Sequence, residues 1–287
     1  MIVTPHSGTM IDAGHDVSDG PKAGPLNGTT EGGKNMTRPA VVADDWVRCF
    51  RPEPSAKVQL VCFPHAGGSA SFFHPVARAL PGTVETLALQ YPGRQDRRAE
   101  PCVDDIAALA DLVVEALAPR LDRPFAFFGH SMGATLAFEV TRRLEQRRLG
   151  GPLTLFASGR RAPSRKRPER VHLLDDDGLV GEIRRLSGTE AELLADEELL
   201  RMILPAVRSD YRAIETYTYR PGPPLNCPVL VLTGDDDPLT TIEEARAWSE
   251  HTAGEFDLKV FPGGHFYLAA QQAAVLRTIT DRLGPHL

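Results

Sequence analysis

The sequence predicts an α/β fold in which a mostly parallel sheet is flanked by helices. From Trp46 onward, short apolar runs alternate with segments of helical spacing, and such repeats form parallel sheets that are covered on both faces. One strand-to-helix junction carries the pentapeptide Gly129-His130-Ser131-Met132-Gly133, which predicts a sharp turn. With 287 residues, the chain is long enough for one large domain of this class.

The strands are predicted from apolar runs, and the helices from apolar residues that recur every three or four positions. The predicted strands are residues 58–63, 84–89, 124–128, 153–157, 228–233 and 258–261. The first long helix is predicted at residues 103–117. A second follows the pentapeptide, where Leu136, Val140 and Leu144 recur every four residues.

The pentapeptide fits the nucleophile elbow of an α/β-hydrolase, because it lies between an apolar strand and an amphipathic helix. Its glycines keep side chains out of the crowded bend around Ser131. The N-terminus of the following helix points at the site, where its amides stabilise negative charge. We therefore expect Ser131 to be a catalytic nucleophile.

A histidine and an aspartate are expected to complete a triad in the chain order Ser, Asp, His. His265 follows the strand at 258–261, and three consecutive aspartates follow the strand at 228–233. Pro238 restricts the backbone of Asp237, which favours Asp237 as the acid. Asp235 and Asp236 stay open as alternatives that cap the next helix or form the turn.

An oxyanion hole needs two backbone amides that point at the developing negative charge. We expect the Met132 amide, directly after the nucleophile, and the Ala66 amide, from a small-residue loop at 63–69, to supply them. The alternative for this loop is an ordinary glycine turn. His65 is expected to order the loop rather than to transfer protons.

Residues 160–224 contain no convincing strand and are predicted to form a helical lid, with helical spacing at 179–186 and 199–211. Its second helix would carry one apolar stripe. We expect about half of the stripe to pack on the core and the rest to line an acyl pocket. The stripe consists of Leu199, Met202, Ile203, Val207 and Tyr211.

Composition excludes several classes of protein. The 32 basic and 38 acidic residues argue against general affinity for nucleic acid. No apolar stretch reaches the roughly 18 residues of a membrane span, and no signal peptide is evident, so we expect a cytoplasmic protein. The four cysteines lack C-x-x-C spacing, which argues against a metal site and a disulfide framework.

The first 40 residues are rich in Gly, Ser, Thr, Asn and Asp and lack an apolar period, so we expect a disordered arm. The domain is expected at residues 41–287. Met36 follows Glu-Gly-Gly-Lys-Asn, whose codons would be purine-rich like a ribosome-binding site. Translation is therefore hypothesised to start at Met36.

Two basic clusters are expected to be solvated loops or, alternatively, to attract a negatively charged partner or hold a phosphate. The first contains Arg94, Arg97 and Arg98. The second contains Arg160, Arg161, Arg165, Lys166, Arg167 and Arg170.

Seven motifs together resemble the type II thioesterases, the discrete editing hydrolases of polyketide and nonribosomal peptide assembly lines. The resemblance extends over residues 46–283, and in it the second aspartate of the G-D-x-D-P pattern, here Asp237, is the triad acid. The motifs are FPHAGGSAS (63–71), YPGRQDRR (91–98), GHSMGA (129–134), SGRRAP (158–163), LPAVRSDYRAIETY (204–217), GDDDP (234–238) and PGGHFYL (262–268).

This resemblance implies an α/β-hydrolase with a mobile helical lid that hydrolyses acyl thioesters on the phosphopantetheine arm of acyl carrier proteins. It would remove aberrant acyl groups as a monomer and without a cofactor of its own, since the phosphopantetheine belongs to the substrate. Carrier proteins are usually acidic, so the arginine-rich segments gain plausibility as docking surfaces, and the candidate docking residues are Arg160, Arg161, Arg165, Lys166 and Arg167. Three alternatives remain: a carboxylesterase of the same fold, a chain-releasing thioesterase and a non-catalytic binding protein.

Overall fold

A computed structural model describes residues 43–187 and 197–287, and in them seven strands form one sheet in the order β1-β3-β2-β4-β5-β6-β7. Neighbouring strands are parallel except for β1 and β3, which are antiparallel. The strands are β1 (Val47–Cys49), β2 (Val58–Phe63), β3 (Val84–Leu89), β4 (Phe125–His130), β5 (Leu155–Ser158), β6 (Val229–Gly234) and β7 (Phe256–Phe261).

The described helices connect these strands or follow the last one. They are α1 (Ala43–Trp46), α2 (His74–Ala79), α3 (Ile106–Leu117), α4 (Met132–Gln146), α5 (Asp176–Ser187), α6 (Glu197–Thr216), α7 (Ile242–Arg246), α8 (Tyr267–Ala270) and α9 (Gln272–Leu283). None of them is long and apolar enough to cross a membrane.

Both faces of the sheet are buried, as the alternation along β2 shows. Val61 and Phe63 belong to a core cluster that includes residues of α3 and α4. Leu60 and Cys62 point the other way, into a second cluster with residues of α9. Successive side chains of a strand alternate between its faces, so each face of the sheet has its own layer of helices. The predicted α/β class with a mostly parallel sheet is confirmed.

The predicted elements agree with the observed ones to within a few residues, and the sequence did not predict β1. This strand has only three residues and exists through its pairing with β3, where Val47 lies opposite Leu89. The predicted helix at 103–117 begins later, at Ile106, because Asp105 caps it by accepting a hydrogen bond from the Ala108 amide at 2.8 Å.

The expectations for residues 1–40, including the start at Met36, lie outside the described residues.

The interval between β5 and β6 contains α5 and α6 in its described residues. The predicted stripe of α6 is partly wrong, because Met202 is 62% exposed and Leu200 and Leu204 are buried instead. These two leucines belong to a cluster with Leu179 and Val180 of α5, so the helix also turns a face toward its neighbour in this interval. The side chain of Leu199 lies outside the described part. Pro205 lies inside α6.

The first basic cluster is not the solvated loop that its composition suggests. Arg94 and Arg97 are buried, which overturns that expectation for both residues, whereas Arg98 is exposed. The Arg97 guanidinium lies 4.3 Å from the centre of the Trp46 ring and donates a hydrogen bond to the Gln90 carbonyl. Arg97 therefore connects Trp46, which directly precedes β1, to Gln90, which directly follows β3.

The elbow depends on close backbone contact between β2 and α4. Ser131 has a φ of 54°, in the left-handed region that non-glycine residues rarely adopt. A Cβ atom on Gly133 would lie 2.1 Å from the Phe63 carbonyl oxygen, and one on Gly129 would lie 2.3 Å from the Gly133 carbonyl oxygen. Only glycine fits these two positions without a backbone shift.

Gly133→Ala is therefore expected to lower the free energy of unfolding by about 1–3 kcal/mol, because the added methyl group overlaps backbone atoms. Urea denaturation of the full chain measures this change. Gly181→Ala in α5 is the matched control, since a Cβ there has no neighbour within 4 Å, and it should cost nothing or stabilise by up to about 1 kcal/mol. Equal stability of the Gly133 variant and the native chain would contradict the contact.

Candidate active site

Three side chains that are far apart in sequence meet where β4, β6 and β7 end. Ser131 directly follows β4, and Asp237 and His265 lie in the loops after β6 and β7. His265 Nε2 lies 3.0 Å from Ser131 Oγ, and His265 Nδ1 lies 3.0 Å from both carboxylate oxygens of Asp237. All three are buried, and the distances permit a hydrogen-bonded chain from hydroxyl to carboxylate. The structure thus brings the three predicted triad residues together, and their catalytic role stays a prediction.

Local backbone geometry places Asp237, rather than its two neighbours, beside the histidine. Asp237 Oδ1 accepts a hydrogen bond from the Leu239 amide at 2.9 Å, which orients the carboxylate. Asp235 is exposed and accepts from the Gly263 amide at 2.8 Å, so it ties the two loops together. Asp236 is exposed as well. Neither caps α7, whose N-cap is Thr241.

Two further histidines lie next to His265, and both are neutral. Burial, with a smaller contribution from the neighbouring imidazole of His265, lowers the pKa of His130 well below its usual range and lowers that of His65 to about 3. His130 Nδ1 is 2.9 Å from Ser158 Oγ, and His65 packs against the rings of Phe72 and Phe266. His130 and His65 are thus neutral neighbours of His265, and His65 has a packing position in the loop.

The loop at 63–69 forms a turn that reaches the site and is held in place by polar contacts. Ala66 and Met132 line the same cavity as Ser131, so both expected amide donors border the space where a carbonyl oxygen would lie. The Gly67 amide donates to Asp210 Oδ2 at 2.7 Å, and the Tyr91 hydroxyl donates to the Pro64 carbonyl at 3.2 Å.

Asp210 of α6 also forms a buried ion pair with Arg94. The guanidinium nitrogens lie 2.6 and 2.8 Å from the two carboxylate oxygens, and one of them donates to the Gly68 carbonyl at 3.0 Å. Asp210 is 1% exposed and Arg94 is 7% exposed. The pair therefore joins α6, the Arg94 turn and the loop that carries Ala66.

The sequence analysis did not identify Asp210 as a site residue and assigned Arg94 to a basic surface cluster. A signal was present, because Asp210 shares helical spacing with Val207, Tyr211 and Ile214 on one side of α6. A carboxylate on an apolar stripe requires a buried partner. That partner, 116 residues away, is visible only in the fold.

A cavity of roughly 450 Å³ opens beside Ser131 and His265. Its size falls in the range of ligand pockets, and Ile203, Val207 and Tyr211 of the predicted stripe lie in its wall. Polar side chains also line it. They are Arg160, Arg167, Glu169, Glu182, Arg185 and Glu215. In the part of the chain that the structure describes, no three His, Cys, Asp or Glu side chains cluster closely enough to bind a metal.

The five cations proposed for docking do not share one exposed surface. Arg161 is 4% exposed and bonded to Glu169 and the Leu239 carbonyl, so its assignment to a docking surface is wrong. Arg160 is partly buried and lines the cavity.

Arg167 is partly buried, and it bonds to Glu244 and to the Pro238 carbonyl next to Asp237. Arg165 and Lys166 are exposed. Of the five, these last two are the side chains that a partner can reach readily.

Comparisons with known proteins agree on one family. A model described as a thioesterase domain matches residues 58–283. The chain is 57% identical over 270 residues to a probable cadicidin biosynthesis thioesterase of Streptomyces griseus, covering 92% of this chain and 74% of that protein. It is 52% identical over 239 residues to thioesterase PikA5 of Streptomyces venezuelae, covering 83% and 85% of the two chains.

A solved structure, that of the type II thioesterase BorB from the borrelidin biosynthetic cluster, superposes with a TM-score of 0.80. The two sequences are 55% identical, and the match covers 85% of this chain and all of that chain.

The Arg94–Asp210 pair is expected to stabilise the fold only while both partners are present. Asp210→Asn and Arg94→Met should each lower the free energy of unfolding by about 3 kcal/mol, because each leaves a buried polar group without its partner. The double variant should lose less than the sum, and urea denaturation of the three variants measures this coupling.

The exposed pair Arg165–Glu250 provides a matched control, since Arg165→Met or Glu250→Gln should cost less than about 1 kcal/mol. Additive losses for Asp210→Asn and Arg94→Met would show that the two side chains do not interact energetically.

Proposed function

The chain belongs to the thioesterase family, and from this membership we propose that it removes acyl groups from the phosphopantetheine arms of acyl carrier proteins. The observation that carries the proposal is the 3.0 Å contact between Ser131 Oγ and His265 Nε2, with Asp237 behind the imidazole. As a thioesterase, the chain is a hydrolase that acts on thioester bonds. Ser131, His265 and Asp237 are the residues that we assign to the reaction.

In the acylation step, His265 takes the Ser131 proton while Ser131 Oγ attacks the thioester carbonyl carbon. The carbonyl oxygen becomes negative and accepts hydrogen bonds from the amides of Met132 and Ala66. Asp237 accepts the hydrogen bond of His265 Nδ1, which fixes the tautomer and stabilises the imidazolium. Collapse of the tetrahedral intermediate breaks the carbon–sulfur bond, and the departing thiolate takes the proton from His265 and leaves as the free thiol of the arm, so that His265 is again neutral. A thiolate leaves more readily than an amine or an alkoxide, so little general-acid assistance is needed.

In the deacylation step, a water molecule takes the position of the departed thiol. His265 removes its proton, the oxygen attacks the acyl-enzyme carbonyl, and the same amides receive the negative charge again. The acid is released, and Ser131 recovers its proton from His265. Both steps use one pair of amide donors, so the position of the Ala66 loop affects each of them.

The Arg94–Asp210 pair supports this chemistry by holding the loop. Asp210 fixes the Gly67 amide, and Arg94 fixes the Gly68 carbonyl, on the two residues that follow Ala66. Donors that are fixed before the reaction need no reorganisation when charge develops. The lid helix α6 thereby contributes to the amide geometry without contacting the reacting atoms.

The acidic carrier protein is proposed to dock at the exposed cations Arg165 and Lys166. Both border a second cavity of roughly 310 Å³ that shares Arg160, Arg167 and Glu169 with the cavity at Ser131. An arm that reaches from the surface toward Ser131 would pass from one cavity to the other. The relatives named above belong to biosynthetic pathways, which supports an assembly line as the source of the carrier.

Ser131→Ala should lower kcat for an acyl carrier protein substrate by about 10⁴-fold or more, because the nucleophile is absent. Labelling by a fluorophosphonate probe should be lost in the same variant. The native chain should hydrolyse an acyl thioester faster than the matched oxygen ester, measured side by side with the same acyl group. Faster turnover of the oxygen ester would instead identify a general carboxylesterase.

The double variant Arg165→Glu/Lys166→Glu should raise KM for acyl carrier proteins by about tenfold, because it reverses the charge that attracts an acidic partner. Small acyl-cysteamine thioesters should be unaffected, since they do not reach these side chains. Arg167 is left in place because it bonds to the Pro238 carbonyl beside Asp237.

Arg277→Glu on α9 is the matched control for this experiment. It makes the same kind of charge change at an exposed position of a helix that packs into the second core cluster. Equal losses with carrier-bound and small substrates in the double variant would refute the docking surface.

A further inference from the structure

Arg160 occupies a position at the active site that the proposed reaction does not use. It follows Gly159, where an added Cβ atom would lie 2.6 Å from His130 Cε1 and 3.5 Å from His265 Cε1. Arg160 lines the cavity that contains Ser131. It therefore directly follows a residue that packs against His130 and His265, and it borders the space that the substrate would occupy.

The other cations that line this cavity have carboxylate partners. Arg167 is paired with Glu244, and Arg185 is paired with Glu182. Within the described residues, Arg160 forms no ion pair, and its guanidinium makes one hydrogen bond, from Nε to Thr135 Oγ1 at 3.2 Å. Nη1 and Nη2 thus keep their N–H groups for another acceptor.

Two carboxylates that line the same cavity are engaged elsewhere. Glu169 is bonded to Arg161. Glu215 accepts from the amides of Val171 and His172 and contacts the His172 ring. The cavity consequently holds one cation whose charge is not matched by a carboxylate of the described chain.

This guanidinium remains charged although its surroundings disfavour the charge. Burial, with a further contribution from Arg161, lowers the pKa of Arg160 to about 10, which still leaves it protonated at neutral pH. A desolvated cation is stabilised most when an anion binds beside it. The planar guanidinium can donate two parallel hydrogen bonds to the oxygens of a carboxylate or a phosphate.

Arg160 also makes a structural contact through its backbone. The Arg160 carbonyl accepts a hydrogen bond from Trp248 Nε1 at 2.8 Å, which any substitution of the side chain preserves. The side chain also borders the second, basic cavity, so it stands between the space at Ser131 and the space that leads toward Lys166.

From these observations we propose that Arg160 binds an anionic oxygen group of the substrate through Nη1 and Nη2. This inference rests on the proposed function, because it assumes an acyl thioester in the cavity. Two parts of such a substrate carry the required chemistry: a carboxylate on the acyl group, as in malonyl, and the phosphate of the pantetheine arm. Arg160 is in either case a binding and specificity residue.

Four small thioesters test the proposal and separate the two sources: propionyl and malonyl groups, each on pantetheine and on 4′-phosphopantetheine. Arg160→Gln should lower kcat/KM about tenfold to a hundredfold for the substrates that carry the recognised anion, mainly through KM. Propionyl-pantetheine should change less than about threefold, because it has neither anion.

A loss confined to malonyl substrates identifies the acyl carboxylate, and a loss confined to phosphorylated substrates identifies the arm. Arg160→Lys should recover part of the loss because it restores the charge without the planar fork. Arg185→Gln is the control: it removes a cavity cation that already has a partner, so the ratio between anionic and neutral substrates should stay unchanged. Equal loss with all four substrates, or no loss with any, would overturn the proposal.

A binding measurement keeps this result separate from the proposed reaction. Calorimetry with Ser131→Ala should show tighter binding of malonate than of propionate, or of 4′-phosphopantetheine than of pantetheine. Adding Arg160→Gln should abolish that difference, and a difference that persists would overturn the anion site. Failure of the native chain to hydrolyse any of the four thioesters would count against the proposed function and leave the binding result to decide the role of Arg160.

Discussion

The buried ion pair between Arg94 and Asp210 is the interaction on which the geometry of the site depends. Two charges are removed from water, and each is matched by its partner and by a backbone group of the Ala66 loop. Unpaired, either charge would be costly in the interior. The pair therefore keeps three segments together: the turn at Arg94, the helix α6 and the loop after β2. The loop that carries Ala66 is held by Arg94 and Asp210, whereas α4, which begins at Met132, directly follows strand β4 of the sheet. The amides of Ala66 and Met132 therefore have independent supports.

The triad positions follow from the direction of the strands. In a parallel sheet the carboxyl ends of the strands lie at one edge, so the loops after β4, β6 and β7 meet although Ser131 and His265 are 134 residues apart. The neighbouring histidines are buried and neutral, which leaves His265 as the imidazole between hydroxyl and carboxylate. With this arrangement in a member of the thioesterase family, the proposed reaction needs only a substrate that reaches the cavity. Arg160 and the cations near the surface then bear on which substrate that is.

Much of the fold and of the triad could be predicted because the signals are local. The elbow at Ser131 and the apolar runs of β2, β3, β4 and β6 are encoded within a few consecutive residues, and His265 stands directly after a strand. Pro238 singled out Asp237 for the same reason. The burial of Arg94 and Arg161 could not be predicted, because their partners are distant in sequence or contacted only through the fold. The rotation of α6 about its axis could not be predicted either, since the burial of Leu200 and Leu204 depends on their packing against α5.

The helix α6 has two kinds of attachment along its length. It runs unbroken through Pro205, which has no amide hydrogen to donate. Leu200, Leu204 and Val207 pack in one cluster with residues of α5, and Asp210 forms the ion pair with Arg94. One helix therefore contributes Val207 to the wall of the cavity and Asp210 to the anchoring of the loop beside Ser131. A change in the packing of α5 against α6 would in consequence be felt at both places.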